Sequence, residues 1–577
     1  MLFFDFEGIG ARQGSPALRD LIVGVVLILL LLEAARRALG IVLPLIAGTF
    51  ILYSFVSEWM PAFLSFRSTS VEKVIGKLTM STEGIYGIPL DVSASVVFLF
   101  VLFGAMLERA GGGHYFIQLA FSLLGRFRGG PAKAAVLASG LTGMVSGSSI
   151  ANTVTTGTFT IPLMKKAGYP AIKAGAIEVA ASTNGQLMPP IMGAAAFIIA
   201  EYTQLSYLEV AKAAALPAII SYIGLLYISH IEAVKMDIKI IPKEDIPSFW
   251  KTFMSGLHFL IPLILLMYFL IIERRSAQLS AYYAILALAA IMILQPMALV
   301  FRKQMTWTDA LRTAAKNLGE SLVAGGKNMM GIGVAVAAAG IIVGIVTLGL
   351  GGVIIEVVEV LSGGMLIPLL IITAIVSLVL GMGLPTTANY IVMATLTAPL
   401  IVHLGADAGL VVPLIAAHLF VFYFGILSDD TPPVGLSAYA AAAISRADPI
   451  KTGIQGFKYD IRTAILPFMF IFNTDLLLIG VTSWWQISFI FVAGVIAIFA
   501  FISITQNFMQ RKNRLWETAL LVCSSFILLR PDLFEAYSQI DRFLWKVIGL
   551  SLFIVVFSYQ TWSEKKLTKN LSSARRA

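Results

Sequence analysis

Two stretches of this chain repeat each other, and the repeat constrains the fold more than any other feature. SSIANTVTTGTFTIPLMKKAG (148–168) lies on PTTANYIVMATLTAPLIVHLG (385–405) without a gap. Ala151, Asn152, Thr158, Thr160, Pro162, Leu163 and Gly168 meet the identical residues Ala388, Asn389, Thr395, Thr397, Pro399, Leu400 and Gly405. After a short slip, TNGQLMPP (183–190) falls on ILSDDTPP (426–433). Each copy reads as an apolar helix, a break rich in Gly, Ser, Thr and Asn, a second half-helix, and a further helix interrupted by Pro-Pro. In hydrocarbon, interrupted backbone is tolerated only where it is buried in protein or lines a cavity. Paired interruptions in the two halves of a membrane chain point to a binding site between them.

The composition supplies the membrane. Of 577 residues, 58% are apolar and 13% charged, against about 25% charged in a soluble domain. The net charge of +9 sits in short gaps between apolar runs, as at Arg274-Arg275, Arg302-Lys303 and Arg511-Lys512. That is the pattern of cytoplasmic loops and gives no reason to expect a nucleic-acid partner. The single cysteine, Cys523, excludes intramolecular disulfides and Cys-based metal sites. The start, MLFFDFEGIGARQGSPALRD, carries acids where a signal peptide carries bases. The first apolar helix is therefore expected to direct insertion, and the basic ending SEKKLTKNLSSARRA to stay in the cytoplasm.

The predicted fold is an all-α polytopic membrane protein. Residues 1–87 hold N-terminal membrane segments, with spans at 21–39 and 41–57 and a polar stretch suited to a helix in the membrane plane. Residues 88–231 form the first repeat: a span at 91–107, a short interfacial helix at 114–127, a re-entrant hairpin at 131–164, a helix broken between 172–188 and 191–202, and a closing helix. Residues 232–328 hold a polar connection, scaffold helices and an amphipathic helix at 306–327. Residues 329–480 form the second repeat, with an apolar helix at 331–347, an interfacial one at 351–361, a hairpin at 365–402 and a helix broken between 410–427 and 434–444. Residues 481–577 hold C-terminal membrane helices and the basic tail.

The chemistry concentrates at the breaks. A half-helix ending inside the membrane exposes N–H groups at its N-terminus and C=O groups at its C-terminus, which suit an anion and a cation respectively. Ser146, Ser148, Ser149, Asn152 and Thr153 crowd the first tip, and Gly383, Thr386, Thr387 and Asn389 the second. Their neutral oxygens suit a hard monovalent cation. Pro189 and Pro190, after Thr183, Asn184, Gly185 and Gln186, lack the N–H groups that would bond the carbonyls of 185 and 186. Pro432 and Pro433, after Thr431, leave those of Ser428 and Asp429 in the same position. Each half is thus expected to set a hairpin tip opposite loose carbonyls. The plainer alternative is that small residues merely allow close helix packing. Asp429 and Asp430 are intramembrane acids, whose default reading is functional. Glu178 has no evident local partner, His418 suits a backbone carbonyl, and Lys165 and Lys166 suit the interface.

Enzyme readings fit poorly. Gly381-Met-Gly383 matches the glycines of an intramembrane aspartyl-protease motif, but Leu384 stands where the aspartate would be. Neither Ser146 nor Ser148 has a histidine partner suited to an intramembrane hydrolase. Gly325-Gly-Lys-Asn lacks P-loop spacing. No catalytic residue and no cofactor is expected.

SGSSIANTVTTGTFTIPLMKKAGY, EVAASTNGQLMPPIMGAAAFI, LGMGLPTTANYIV and FYFGILSDDTPPVGLSAYAAA together resemble the membrane permease of TRAP (tripartite ATP-independent periplasmic) transporters. The resemblance is greatest to the fused type that works with TAXI-class binding proteins, and it extends to EAARRALG and FKYDIRTAILPFMFIFN. It implies an elevator-type transporter with two inverted repeats, each holding a re-entrant helical hairpin and a broken helix. It also implies Na⁺ as coupling ion, with H⁺ in some members, and a periplasmic TAXI-type protein that delivers a small organic anion. A separate small membrane subunit is a further partner to consider, because one span precedes EAARR where fused members carry more. The expected location is the cytoplasmic (inner) membrane of a bacterium or archaeon. A stand-alone ion-coupled carrier is the alternative.

Overall fold

The computed structural model describes residues 14–538 and 540–574, together with Gly8 and Arg12. Asp5, Glu7, Arg575 and Arg576, on which the readings of the two ends lean, lie outside the described residues. Those described form helices with no strand; a lone bridge pairs Phe508 with Lys512. Eight of these helices are long and apolar enough to cross a membrane, and a pair bent by 56° at 243–272 adds a ninth if counted as one span.

Helices α1 (Leu18–Leu39) and α2 (Val42–Val56) lead in, and the polar stretch after them contains a ten-residue helix, α3 (Val71–Met80), capped by Ser70. The first repeat follows as α4 (Phe98–Ala110), α5 (Gly112–Leu124), the hairpin arms α6 (Gly130–Ser146) and α7 (Ser149–Lys166), the half-helices α8 (Ala171–Gly185) and α9 (Ala195–Thr203), and α10 (Tyr207–Lys235). A capping box between Ser206 and Glu209 starts α10. This satisfies two otherwise orphaned N–H groups at the point where the chain re-enters the helix bundle.

A connecting helix, α11 (Ala277–Phe301), leads to the second repeat. That repeat runs as α12 (Trp307–Ile345), α13 (Gly351–Ser362), the hairpin arms α14 (Leu366–Gly381) and α15 (Thr386–Asp407), the half-helices α16 (Leu414–Leu427) and α17 (Leu436–Ser445), and α18 (Pro449–Phe472). The tail contains α19 (Trp484–Thr505), α20 (Leu515–Leu529) and α21 (Arg542–Ala574). Both repeats therefore list the same elements in the same order.

Three expectations change. The amphipathic helix at 306–327 and the apolar one at 331–347 are one helix, α12, of 39 residues. Each interior glycine costs a helix roughly 1 kcal/mol, but Gly325 lets α12 lie against α4: a Cβ there would meet Leu102 at 2.9 Å. The segment read as interfacial at 114–127 is built into the protein, since α5 buries Tyr115, Phe116, Ile117, Leu119 and Phe121 and packs along α6. The breaks in the two interrupted helices are longer than the Pro-Pro pairs alone, running through 186–194 and 428–435.

Candidate functional site

The first hairpin turns at Gly147, in the left-handed region at φ +62°. A side chain there would be strained, so the tight reversal suits glycine. Ser148 then caps α7, its Oγ accepting from the Ala151 N–H at 3.3 Å. Because the helix starts this early, Asn152 and Thr153 lie within its opening turns and not in the tip, as their polarity had suggested. In the second hairpin Pro385 precedes the first residue of α15, and Thr386 and Thr387 open the helix.

The hairpin asparagines tie the two arms of each hairpin together. Asn152 Nδ2 donates to the carbonyl and hydroxyl of Ser139 on the opposite arm, at 2.9 and 2.8 Å. Its Oδ1 accepts from Thr142 Oγ1 at 2.6 Å. Asn389 Nδ2 likewise donates across its hairpin to the Ser377 carbonyl at 2.9 Å. Glycines let each hairpin sit on its broken helix: a Cβ on Gly143 would lie 2.8 Å from Gly185 Cα and from Asn152 Nδ2, and one on Gly381 would lie 2.1 Å from Ser428 Oγ and 2.5 Å from Asn389 Nδ2. The repeat extends to these contacts but not to the amide oxygens. Asn389 Oδ1 is buried without a hydrogen-bond partner, as are Ser377 Oγ and Thr373 Oγ1 on the facing arm. In the first half the comparable orphans are Thr153 Oγ1 and Thr183 Oγ1.

The two halves meet at the breaks. Ser149 at the start of α7 donates a hydrogen bond to Asp429 Oδ2 in the opposite break. Gln186 Nε2, in the first break, donates to the same oxygen at 3.2 Å. Thr386 Oγ1, at the start of α15, donates to Gln186 Oε1 at 3.1 Å. One chain of hydrogen bonds thus links both hairpins and both broken helices. It borders a cavity of about 610 Å³, whose wall includes Ser146, Ser148, Gly383 and Thr387 and is completed by α1, α2, α4, α5 and α12. That volume is within the range of small-molecule sites.

The expected loose carbonyls are not loose. Those of Gly185 and Gln186 accept from the N–H groups of Met188 and Gly193, at 3.1 and 2.9 Å. Those of Ser428 and Asp429 accept from Thr431 and Ser437, at 3.2 and 3.1 Å. The chain compensates for the missing proline donors by turning sharply enough to bring later amides back. Pro189-Pro190 and Pro432-Pro433 are both cis. Ser428 Oγ and Thr431 Oγ1 are also occupied locally, on the carbonyls of Gly425 and Leu427.

Asn184 and Asp430 belong to a second layer beneath the cavity. Asn184 Nδ2 donates to Asp460 Oδ1 at 2.7 Å, and its Oδ1 accepts from Ser221 and Thr463 at 2.7 and 2.9 Å. Arg462 Nη1 completes the layer on Asp460 Oδ1 at 2.8 Å. Asp430 is fully buried, neither of its carboxyl oxygens has a hydrogen-bond partner, and Oδ2 faces Gly456 on α18. Sequence reading missed Asp460, Arg462, Ser221 and Thr463. The available signal was an ionisable pair within the run YDIRTAILPF, since intramembrane charges are costly enough to require a purpose. The remaining polar groups also find partners. Glu178 accepts from Thr156, from Thr160 at 2.5 Å and from Ser182 at 3.3 Å. His418 Nδ1 pairs with the Tyr390 hydroxyl at 2.7 Å instead of a carbonyl. Lys165 donates to the Ser445 carbonyl at 2.8 Å, at the end of α17.

Comparison with known proteins agrees with this architecture. The family model described as "Tripartite ATP-independent periplasmic transporter, DctM component" matches residues 26–485, well over half of the chain. A domain of unknown function matches 487–540. The 2,3-diketo-L-gulonate TRAP transporter large permease protein of Escherichia coli (strain K12) is 23% identical over 66% of this chain and 84% of its own length. A putative TRAP transporter large permease protein of Haemophilus influenzae is 23% identical over 64% of this chain and 83% of its own. The C4-dicarboxylate TRAP transporter large permease protein of Pseudomonas aeruginosa is 36% identical over a shorter region, 19% of this chain and 26% of its own. These relatives are transport components and not enzymes. The chain belongs to the DctM component family of tripartite ATP-independent periplasmic transporters, as a multi-pass membrane permease.

Proposed function

We propose that this permease imports a small carboxylate-bearing solute through the cytoplasmic membrane of a bacterium or archaeon, coupled to Na⁺ and fed by a periplasmic TAXI-type binding protein. Membership of a tripartite system implies a periplasmic binding protein, of whatever type, and a small membrane subunit as partners. The observation that carries the reading is the hydrogen-bonded chain of Ser149, Asp429, Gln186 and Thr386. It gives one solute-sized cavity access to the hairpin and break of both halves. The N-termini of α7 and α15 border that cavity, and such termini favour a carboxylate. The partnerless neutral oxygens of Asn389, Ser377 and Thr373 support a cation beneath the second tip, because a buried oxygen left unpaired costs stability that a bound ion restores.

The driving force is adequate without ATP. A monovalent cation entering through about 100 mV contributes about 2.3 kcal/mol, and a tenfold ion gradient adds about 1.4 kcal/mol. Two such ions, carrying a monoanion against the potential, leave roughly 5 kcal/mol, enough for accumulation of several thousand-fold. Transport by an elevator movement of the hairpin-bearing parts, with the repeats inverted, belongs to the same proposal. The test is uptake by proteoliposomes with Na⁺ and H⁺ gradients imposed separately, the ligand-loaded binding protein being supplied outside. Uptake is expected on the Na⁺ gradient and with the binding protein only. Full uptake on a pH gradient in Na⁺-free buffer would sink the Na⁺ assignment, and equal uptake without the binding protein would favour a stand-alone carrier.

A further inference from the structure

The wall of the cavity has an unusual charge balance for a carboxylate carrier. Among the described residues that line it, Glu108 and Asp429 are the only charged ones. Asp429 is the deeper, only 8% exposed. Ser149 and Gln186 both donate to its Oδ2, so Oδ1 is left to the cavity. Glu108 lies nearer the surface, with Oε1 accepting from Thr155 at 3.0 Å. A carboxylate desolvated against a largely apolar wall calls for a positive partner, and no lining side chain supplies one. A cargo with net negative charge would meet Asp429 as a like charge. The other lining side chains are neutral: hydroxyls and amides gather at the hairpin tips and the first break, and Leu39, Val42, Phe100, Phe116, Met192 and Phe197 supply an apolar, partly aromatic face.

We propose that the cargo is a zwitterionic amino acid with an apolar side chain, its ammonium group on Asp429 Oδ1 and its carboxylate at the N-termini of α7 and α15. The apolar side chain then lies against Phe100, Phe116 and Phe197. This rests on the carboxylate-import reading and narrows it. It adds the group that satisfies Asp429 and removes the net charge that the wall disfavours. Glu108, at the shallower end, attracts the ammonium group on the way in.

The test uses the purified full chain in lipid nanodiscs and three probes that share one isobutyl side chain. L-Leucine carries both charged groups, 4-methylpentanoate lacks the ammonium, and 3-methylbutylamine lacks the carboxylate. Thermal stabilisation is measured against probe concentration, in NaCl and in choline chloride. L-Leucine is expected to half-saturate at a concentration at least tenfold below that of either truncated analogue, and Asp429→Asn to abolish its advantage over 4-methylpentanoate. If 4-methylpentanoate matches or exceeds L-leucine in the parent, Na⁺ and not cargo neutralises Asp429. The proposal then fails while carboxylate import stands. No response to L-leucine also overturns it. If Na⁺ too leaves stability unchanged, the Na⁺-coupled reading fails with it.

Discussion

Replacing Arg462 by methionine removes a guanidinium that is 1% exposed while keeping most of its volume. Three contacts go with it: Nη1 on Asp460 Oδ1 at 2.8 Å, Nε on the Ser221 carbonyl at 3.1 Å, and Nη1 on the Tyr459 carbonyl. Asp460 keeps its neutral donor Asn184 but loses its cation, and Asp430 nearby has no hydrogen-bond partner of its own. Leaving one member of a buried ion pair uncompensated costs about 3–5 kcal/mol, whereas exchanging both for groups of similar volume is often neutral. Arg462→Met is therefore expected to lose about 3–5 kcal/mol, Asp460→Asn a similar amount, and the double variant markedly less than their sum. The coupling energy should be on the order of 2 kcal/mol or more. The assay is reversible unfolding in mixed micelles titrated with SDS, followed by tryptophan fluorescence. A loss below about 1 kcal/mol in Arg462→Met, or strictly additive losses, would refute the view that this pair fastens α18 to α8 and α10.

Three further variants probe the hairpins. Gly143→Ala places a methyl group 2.8 Å from Gly185 Cα, so the first hairpin is expected to lift from α8 at about 1–3 kcal/mol. Uptake should fall with membrane expression unchanged; an unaltered uptake rate would show that the hairpin does not need this seating. Asn389→Ala removes an orphaned oxygen and should raise the Na⁺ concentration for half-maximal thermal stabilisation about tenfold or more, as expected for about 1.4 kcal/mol or more of lost binding. Asn152→Ala, whose oxygen is already bonded to Thr142, should lower stability at all Na⁺ concentrations alike; equal Na⁺ shifts in both variants would contradict the asymmetry between them.

The elements of the site were legible in the sequence where local chemistry decides them. Gly147, Ser148 and the two Pro-Pro pairs each act on backbone within a few residues, so both hairpins and both breaks could be placed from the chain alone. The exact start of α7 was less legible, because a run of Ser, Thr and Asn reads equally as a tip or as a capped first turn. The fate of the carbonyls at 185, 186, 428 and 429 was illegible. It depends on turns that return the amides of Met188 and Thr431, just before the prolines, and of Gly193 and Ser437, beyond them. The chain of Ser149, Asp429, Gln186 and Thr386 was also illegible as a set of pairs. Those residues lie far apart in sequence, and nothing in a residue's own neighbourhood names its partner across the fold.

The asymmetry within the repeat matters more to mechanism than the repeat does. Both hairpins are tied by an asparagine amide to a serine carbonyl of the facing arm, so both have the same skeleton. In the first half the spare oxygen of that asparagine is bonded by Thr142, and Ser139 continues through Ser182 to Glu178. The first hairpin thus keeps a single buried hydroxyl without a partner, Thr153 Oγ1. In the second half the residues facing Asn389 supply no donor, and Asn389 Oδ1, Ser377 Oγ and Thr373 Oγ1 are left unpaired together. A buried polar group without a partner costs about 1–3 kcal/mol, so the second hairpin has more to gain from a bound cation than the first. Because Thr386 at its tip donates to Gln186, and Gln186 donates to Asp429, a cation that tightens the second hairpin acts directly on the carboxylate facing the cavity. On the proposed Na⁺-coupled reading, one glutamine therefore couples ion and cargo.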